Sequence, residues 1–273
     1  TAVKNKYYSQ SYNFKGERRL EIANNLSLGF GSDYNYNKGD FKVHGNWGSS
    51  AKGHADNLGL FTNLGYKLNK TTLLSSHLRG DKHKYSQENI TYRLSAKKIF
   101  DKFSINFSES TGLRHPDLYV LHGSNPSGTF KSMKTTKPET SLTRELSFKY
   151  NFSNYLSFQS AGYKSSVSDV LNRGTATSGY NEMIDIEQEG IENSFVFKDN
   201  NQLLKLSNTF SKSREDDGDP QLRRPEQQYG VKYSKKFKNN FLGPFNLTYD
   251  YRHVGKVEDW KNGSVREKVD SSD

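Results

Sequence analysis

Apolar and polar residues alternate with a period of two along most of this chain, the signature of strands whose two faces meet different surroundings. Leu20, Ile22, Leu26, Leu28 and Phe30 fall on one side of the pattern, and Glu21, Ala23, Asn25, Ser27 and Gly29 on the other. The alternation returns in Leu58, Leu60, Leu64 and Tyr66, in Ile90, Tyr92 and Leu94 against Thr91, Arg93 and Ser95, and in Phe103, Ile105 and Phe107 against Ser104, Asn106 and Ser108. It continues through Leu146, Phe148, Tyr150 and Phe152, then Tyr229, Val231, Tyr233 and Phe237, then Phe245, Leu247, Tyr249 and Tyr251. No helical period competes, and the pattern predicts about twelve strands in an all-β chain.

The connections add a second rhythm. Short turns are predicted at Lys15-Gly16, Asn69-Lys70, Asp101, Ser153-Asn154, Asp199 to Asn201 and Asn239-Asn240. Between them lie longer polar stretches, at 34–55, 81–87, 113–139, 168–180 and 214–224, with a further loop starting near Val254. Alternation of short and long connections is what an antiparallel, up-and-down transmembrane β-barrel shows, with tight periplasmic turns and longer external loops. Phe14, Tyr66, Phe100, Phe103, Phe152, Tyr155, Phe197, Phe237 and Phe241 sit near the short turns, as an interfacial aromatic girdle would. A soluble antiparallel sandwich also alternates, but it has neither that rhythm nor aromatic rings gathered at one end.

Composition agrees with a membrane sheet. No stretch approaches the roughly 20 consecutive apolar residues of a membrane-crossing helix, whereas a crossing strand needs only about ten, half of them apolar. Only 32% of residues are hydrophobic, too few for the core of a soluble domain this long, yet 17 Tyr and 17 Phe are too many for a disordered chain. The net charge of +10 in isolation would suit nucleic acid, but on a barrel it suits loops beside anionic headgroups, and no nucleic-acid partner is expected. The absence of cysteine excludes a disulfide framework and a thiolate site. There is no Gly-rich phosphate loop and no helix-borne His pair, and His44, His54, His77, His83, His115, His122 and His253 lack ligand spacing, so neither cofactor nor metal is expected.

Four motifs in order carry a family resemblance. Ser110 to Gly123 contains Gly112-Leu113-Arg114-His115-Pro116, then Leu118-Tyr119 and Gly123; after Asn125-Pro126 come Lys137-Pro138-Glu139-Thr140-Ser141 and Glu145-Leu146. Tyr180-Asn181 with Glu189-Gly190-Ile191-Glu192, and then Arg223-Arg224-Pro225-Glu226, complete the set. In order and spacing this resembles the barrel of TonB-dependent outer-membrane transporters, with Gly112, Arg114, Pro116, Leu118, Lys137, Pro138, Glu139, Ser141, Glu145, Gly190 and Glu192 as the matching positions. Leu113 stands where the family has Phe and His115 where it has a small residue, departures that bear on the ligand. The resemblance implies a barrel of about 22 strands around a plug. Residues 1–273 would then be a partial barrel domain, without the plug or the closing strands and with no secretory signal visible at Thr1 to Lys6.

The resemblance further implies residence in the bacterial outer membrane, contact with its lipid and lipopolysaccharide, coupling to the TonB complex through a missing N-terminal region, and uptake of a scarce nutrient chelate of the iron-siderophore or cobalamin type. Tyr34, Tyr36, Trp47, His122, Asn125 and Tyr180 are the loop candidates for ligand contact. Glu21, Arg93, Lys149, Lys232, Asp250 and Arg252 are placed on the wet inner face. Two alternatives remain at this point. One is an outer-membrane hydrolase, a phospholipase or protease, using His122 with Ser124 or Asp117; the other is a passive porin.

Overall fold

The computed structural model describes residues 5–43, 49–124, 132–133, 136–172, 182–238, 243–261 and 265–270. Twelve long antiparallel strands follow one another in space in chain order. They are β1 (Lys6–Ala23), β2 (Leu26–Lys42), β3 (Ser50–Asn69), β4 (Thr72–His83), β5 (Asn89–Ile99) and β6 (Phe103–Arg114), then β8 (Glu139–Asn151), β9 (Leu156–Asn172), β10 (Glu182–Lys198), β11 (Gln202–Glu215), β12 (Gln227–Phe237) and β13 (Phe245–Val254). Between β6 and β8 lie a short helix, α1 (Leu118–His122), and a two-residue strand, β7 (Gly123–Ser124), which pairs with β3. A separate hairpin, β14 (Val257–Lys261) and β15 (Val265–Val269), follows β13. The sheet is open: among the described residues β1 pairs only with β2, and β13 only with β12.

Register sorts every strand into the two faces that the alternation predicted. On the apolar side Leu28 stands beside Leu20 and Leu64, and Leu146 beside Phe107. On the polar side Ser108 faces Glu145, and Lys232 faces Asp250. Among the described residues no further layer packs against the apolar row. Leu60 is 59% exposed and Leu146 57%, while among the described residues the buried hydrophobic side chains are Ala51, Ala55, Phe61, Val120, Leu121 and Ile186. A sandwich would bury that row of leucines, at about 1.5–3 kcal/mol for each side chain. A sheet that leaves it bare, with wet groups on its other face, is the wall of a barrel in lipid.

The short turns share one end of the sheet, where rings on the apolar side form a chain. Phe100 stacks on Phe103 with centroids 4.1 Å apart, Phe103 lies 5.8 Å from Phe148, Tyr150 4.8 Å from Phe152, and Phe152 5.8 Å from Phe195. This is the girdle at the periplasmic interface. Asp199 shows how such a turn closes: its carboxylate accepts the amide N–H groups of Asn201 and Gln202, both at 2.8 Å, which hold its pKa below the usual range.

Several sequence expectations change. Lys15-Gly16 is no turn but the interior of β1, and the first hairpin turns at Asn24-Asn25 instead. Phe14 accordingly lies beside Tyr34, well up the strand, rather than in the girdle. The stretch 34–55 is mostly strand, with β2 running to Lys42 and β3 starting at Ser50. The region after Val254 contains the β14–β15 hairpin. Asn239-Asn240 and Phe241 lie outside the described residues. Since about ten residues cross a bilayer, the 18, 17 and 20 residues of β1 to β3 project past its outer boundary.

A polar group interrupts the apolar side between β5, β6 and β8. The Arg144 Nε donates to Glu109 at 2.6 Å, and the Tyr92 hydroxyl donates to the same carboxylate at 2.8 Å. A lone charge there would face lipid, whereas the trio satisfies itself. Arg144→Leu alone is therefore expected to lower the thermal midpoint of the protein more than the double change Glu109→Leu with Arg144→Leu, a double-mutant comparison read by heat-modified gel mobility.

Candidate functional site

At the outer ends of β2 to β4 the polar side narrows to small residues, Gly39, Ala51, Gly53 and Ala55, and the connection between β6 and β8 folds onto them. Asp117 starts α1 as its N-cap, accepting the Val120 N–H at 2.8 Å, and the Gly123 N–H closes the helix onto the Tyr119 carbonyl. The five-residue helix places Leu121, 1% exposed, and Val120, 5% exposed, among the few buried apolar side chains of the protein. Leu118 lies over Gly39, Tyr119 stacks on Phe41 at 5.7 Å, and the His122 ring occupies the space where Gly53 has no Cβ. β7 then adds to the part of β3 that β4 leaves free, pairing Gly123 with Ala51 and Ser124 with Ser50.

The helix docks only because Gly53 leaves room. Gly53→Val is expected to displace His122 and α1 while the strands stay paired, raising protease sensitivity at the β6–β8 connection with little change in strand content by circular dichroism.

Histidines line the seam. His83 and His115 stack with centroids 4.3 Å apart and planes 11° apart, and Tyr85 meets the His122 ring edge-on at 5.2 Å. Both His115 ring nitrogens and His122 Nε2 are buried without a hydrogen-bond partner. Burial first, opposed by the nearby Asp81 carboxylate, pushes the His115 pKa below the ordinary histidine value. A histidine whose folded pKa is depressed contributes stability that is complete above its unfolded value, about 6.5, and is lost as pH falls. Amide exchange at Leu118 to His122, corrected for intrinsic rates, is therefore expected to speed up between pH 8 and pH 5.

Below the docked helix the wall carries a charge ladder. Gly59 faces Asp33 and Asp81 across β2, β3 and β4, and Arg79 lies over the glycine, where a side chain would collide with its guanidinium. Arg79 donates to Asp33 through Nη1 at 2.5 Å and Nη2 at 2.9 Å, and to Asp81 through Nε and Nη2, both at 2.7 Å. Asn57 adds a bond to Asp81 at 2.7 Å. Further down, His77 bonds Asn63 and stacks on Phe61, whose other neighbour is the Lys15 ammonium, 5.3 Å from the ring centroid.

The family-motif positions mostly form the root of the connection. Arg114 and Glu139 are register partners and an ion pair at 3.2 Å, closing the two ends of the excursion. Pro116 lies in the excursion itself, Leu118 opens α1, and Pro138 is buried. Lys137 pairs with Asp169 at 3.7 Å, and Gly112 leaves space for Ser141 across the ladder. Glu145 faces Ser108 and Tyr163. Gly190 lets the Tyr163 ring lie against β10, with Glu192 next on the same face beside Ala161.

Of the ligand candidates, His122 lies at the docked helix. Tyr34 and Tyr36 belong to β2 and to its apolar side, where Tyr36 stacks on His54 at 5.6 Å. Trp47, Asn125 and Tyr180 lie outside the described residues. The Asp33-Arg79-Asp81 ladder was missed by sequence reading, although alternation alone puts all three on the polar side. A catalytic reading of His122 finds no support: the Asp117 carboxylate is spent on the helix N-terminus, and the Ser124 hydroxyl meets Ser50 at 3.3 Å. Among the described residues no three His, Asp or Glu side chains cluster as metal ligands would.

Comparisons place this geometry. A family model described as TonB dependent receptor-like, beta-barrel, matches residues 1–271. No curated protein matches. Similar solved structures include the siderophore receptor PirA from Acinetobacter baumannii, 14% identical with a TM-score of 0.71, covering 97% of this chain and 44% of that one. The ferric yersiniabactin uptake receptor FyuA from Yersinia pestis is 12% identical with a TM-score of 0.70, covering 98% and 46%. The copper transporter OprC is 14% identical with a TM-score of 0.72, covering 97% and 46%. The chain thus spans less than half the length of each of these proteins.

Proposed function

The chain belongs to the TonB-dependent receptor family of bacterial outer-membrane proteins, transporters and receptors rather than enzymes, and on that footing we propose that it forms barrel wall and outer binding surface for uptake of a scarce metal chelate. The iron-siderophore type is the first choice of ligand and cobalamin the second. The similar structures are iron-chelate receptors and a copper transporter, which supports a metal-bearing cargo.

The observation that carries the reading is the inward-folded connection. A hydrolase needs a nucleophile beside a base, and a passive pore needs a clear bore. Here a helix and a strand are instead spent on roofing the polar side of β2 to β4, with His122 at the seam. A chelate that reaches the outer mouth would meet that roof, and Trp47, Asn125 and Tyr180 remain ligand candidates on their residue chemistry. Tyr34 and Tyr36, on the other face, suit the outer lipid boundary instead.

An open sheet in hydrocarbon leaves unpaired backbone groups along both edges, each costing several kcal/mol. We infer that β1 and β13 pair with further strands of the intact receptor, that a plug fills the bore, and that coupling to the TonB complex runs through the plug side of the protein. The test is growth of a strain lacking the intact receptor on single iron chelates, free copper or cobalamin. Loss on one chelate, restored by the wild-type receptor but not by one lacking residues 115–138, is the expected result. Unchanged growth on every source, or restoration by the shortened receptor, would contradict the reading.

A further inference from the structure

The roof over β2 to β4 rests on two histidines from distant parts of the chain. His83 ends β4 and is 8% exposed; its Nδ1 accepts the Tyr85 N–H at 3.3 Å, so the neutral ring carries its proton on Nε2. His115, from the β6–β8 connection, lies flat on that ring with centroids 4.3 Å apart. Five buried side-chain atoms lack a hydrogen-bond partner among the described residues, and all belong to this seam or adjoin it. They are both His115 nitrogens, His122 Nε2, the Oδ1 of Asn57, which stands opposite His83, and the Oγ of Ser86, which follows Tyr85. Ring stacking and apolar contact therefore hold the seam more than polar pairing does.

Protons undo this packing. One on His83 Nδ1 turns an acceptor into a donor aimed at the Tyr85 N–H, and one on His115 leaves two buried donors with nothing to receive them. Two would set like charges face to face. The surrounding carboxylates are already engaged or turned away. On β4 Asp81 shares its oxygens between Arg79 and Asn57, and on β2 Asp33 takes the other side of Arg79. On β3 Asp56 stands on the outward side, opposite Tyr36. Asp117 caps α1, and Glu139 pairs with Arg114. The nearby cations are Arg79, Lys84, which lies over the Tyr85 ring and beside His54, and Lys137, which pairs with Asp169. Burial first, then His115, against the opposing Asp56, pushes the His83 pKa down to about 4.

We propose that the His83–His115 stack is a proton-released latch: acidification at the cell surface parts the rings and lets α1 and β7 leave β3, uncovering the polar side of β2 to β4. The inference rests on the reading of that roof as part of the capture surface, to which it adds a condition for release. Both rings are depressed in the closed state, so the latch is complete above the value of a released histidine, about 6.5, and weakens as pH falls. Between pH 7 and pH 5 His83 alone raises the ratio of open to closed roof about twentyfold.

The test is amide exchange of His115 to Ser124 in the intact receptor, read by mass spectrometry, corrected for intrinsic rates and made with no cargo present. Exchange is expected to quicken by at least about twentyfold from pH 7 to pH 5, while β10 and β11 keep their protection. The variant His83→Phe, His115→Phe keeps two stacked rings that cannot take a proton, and its rise is expected to stay below about threefold. His115→Phe alone leaves the Tyr85 bond to His83 in place and is expected to lie between the two. A wild-type rate that does not change with pH overturns the proposal, as does an equal rise in both phenylalanine variants. A rise shared by β10 and β11 also overturns it, because acid would then be loosening the whole sheet. A working latch in a receptor that takes up no chelate contradicts the proposed function alone, and a constant rate in one that does contradicts the latch alone.

Discussion

Leu64→Arg is expected to cost the intact receptor about 2–4 kcal/mol of stability, the penalty for a cation on the lipid side near the bilayer midplane. Leu64 is 42% exposed with Leu28 beside it, in the middle of the apolar row that runs from Leu58 to Leu68 on β3. Its neighbour Asn63 lies on the opposite side of the same strand, bonded to His77. Asn63→Arg should therefore cost much less, because a charge there stays in water and only one hydrogen bond is lost. The comparison is read as the urea midpoint of each folded receptor in vesicles. The same substitution one residue apart gives opposite answers only if the two faces meet different solvents. Equal costs would mean that both faces meet the same surroundings.

The second large effect is expected at the charge ladder. Asp33 and Asp81 have side chains only 11% and 5% exposed, and the Arg79 guanidinium is divided between them. Arg79→Ala leaves two carboxylates close together on a wall that hides them from water, and breaking a buried pair in this way costs about 3 kcal/mol. The value belongs at the low end of the usual range because part of Arg79 reaches solvent. Arg79→Lys should recover little, since an ammonium cannot bridge both carboxylates through a planar fork. The triple change Arg79→Met, Asp33→Asn, Asp81→Asn should restore most of the loss. Those thermal midpoints, measured on the intact receptor, decide whether the ladder holds β2 to β4 together. An Arg79→Ala receptor as stable as wild type would remove that role.

The two faces were legible in the sequence because lipid and water impose opposite demands on adjacent residues, and Leu58-Leu60-Leu64 against Asn57-Gly59-Asn63 records this directly. What failed was the placing of strand ends. Lys15-Gly16 has turn chemistry, yet a strand also tolerates glycine, and nothing stands where a side chain at Gly16 would go, so local sequence does not separate the two. The Tyr34-Asn35-Tyr36-Asn37 stretch has loop composition because it starts at the outer lipid boundary, level with Leu58, and runs out beyond it.

The site was less legible than the fold for a different reason. Arg79 meets Asp33 across 46 residues and Arg114 meets Glu139 across 25. Alternation says which side each occupies, but only register says who stands opposite. The motif at Gly112 to Gly123 singles out this segment without showing that it folds back onto Ala51, Gly53 and Ala55. That contact depends on small residues in β3, far away in the chain, leaving space for a helix.

The central claim is that even-numbered residues of β3 from Leu58 to Leu68 face hydrocarbon and odd-numbered ones face an aqueous bore. The chain has no native cysteine, so single cysteines at 57–68 can be spin-labelled one at a time in the intact receptor in vesicles. Paired accessibility to oxygen and to a water-soluble nickel chelate then reads both solvents. The expected result is a period of two, with oxygen favoured at Leu58, Leu60, Leu64, Tyr66 and Leu68 and nickel favoured at Asn57, Gly59 and Asn63. Accessibility that fails to alternate, or that alternates in the opposite phase, would contradict the account.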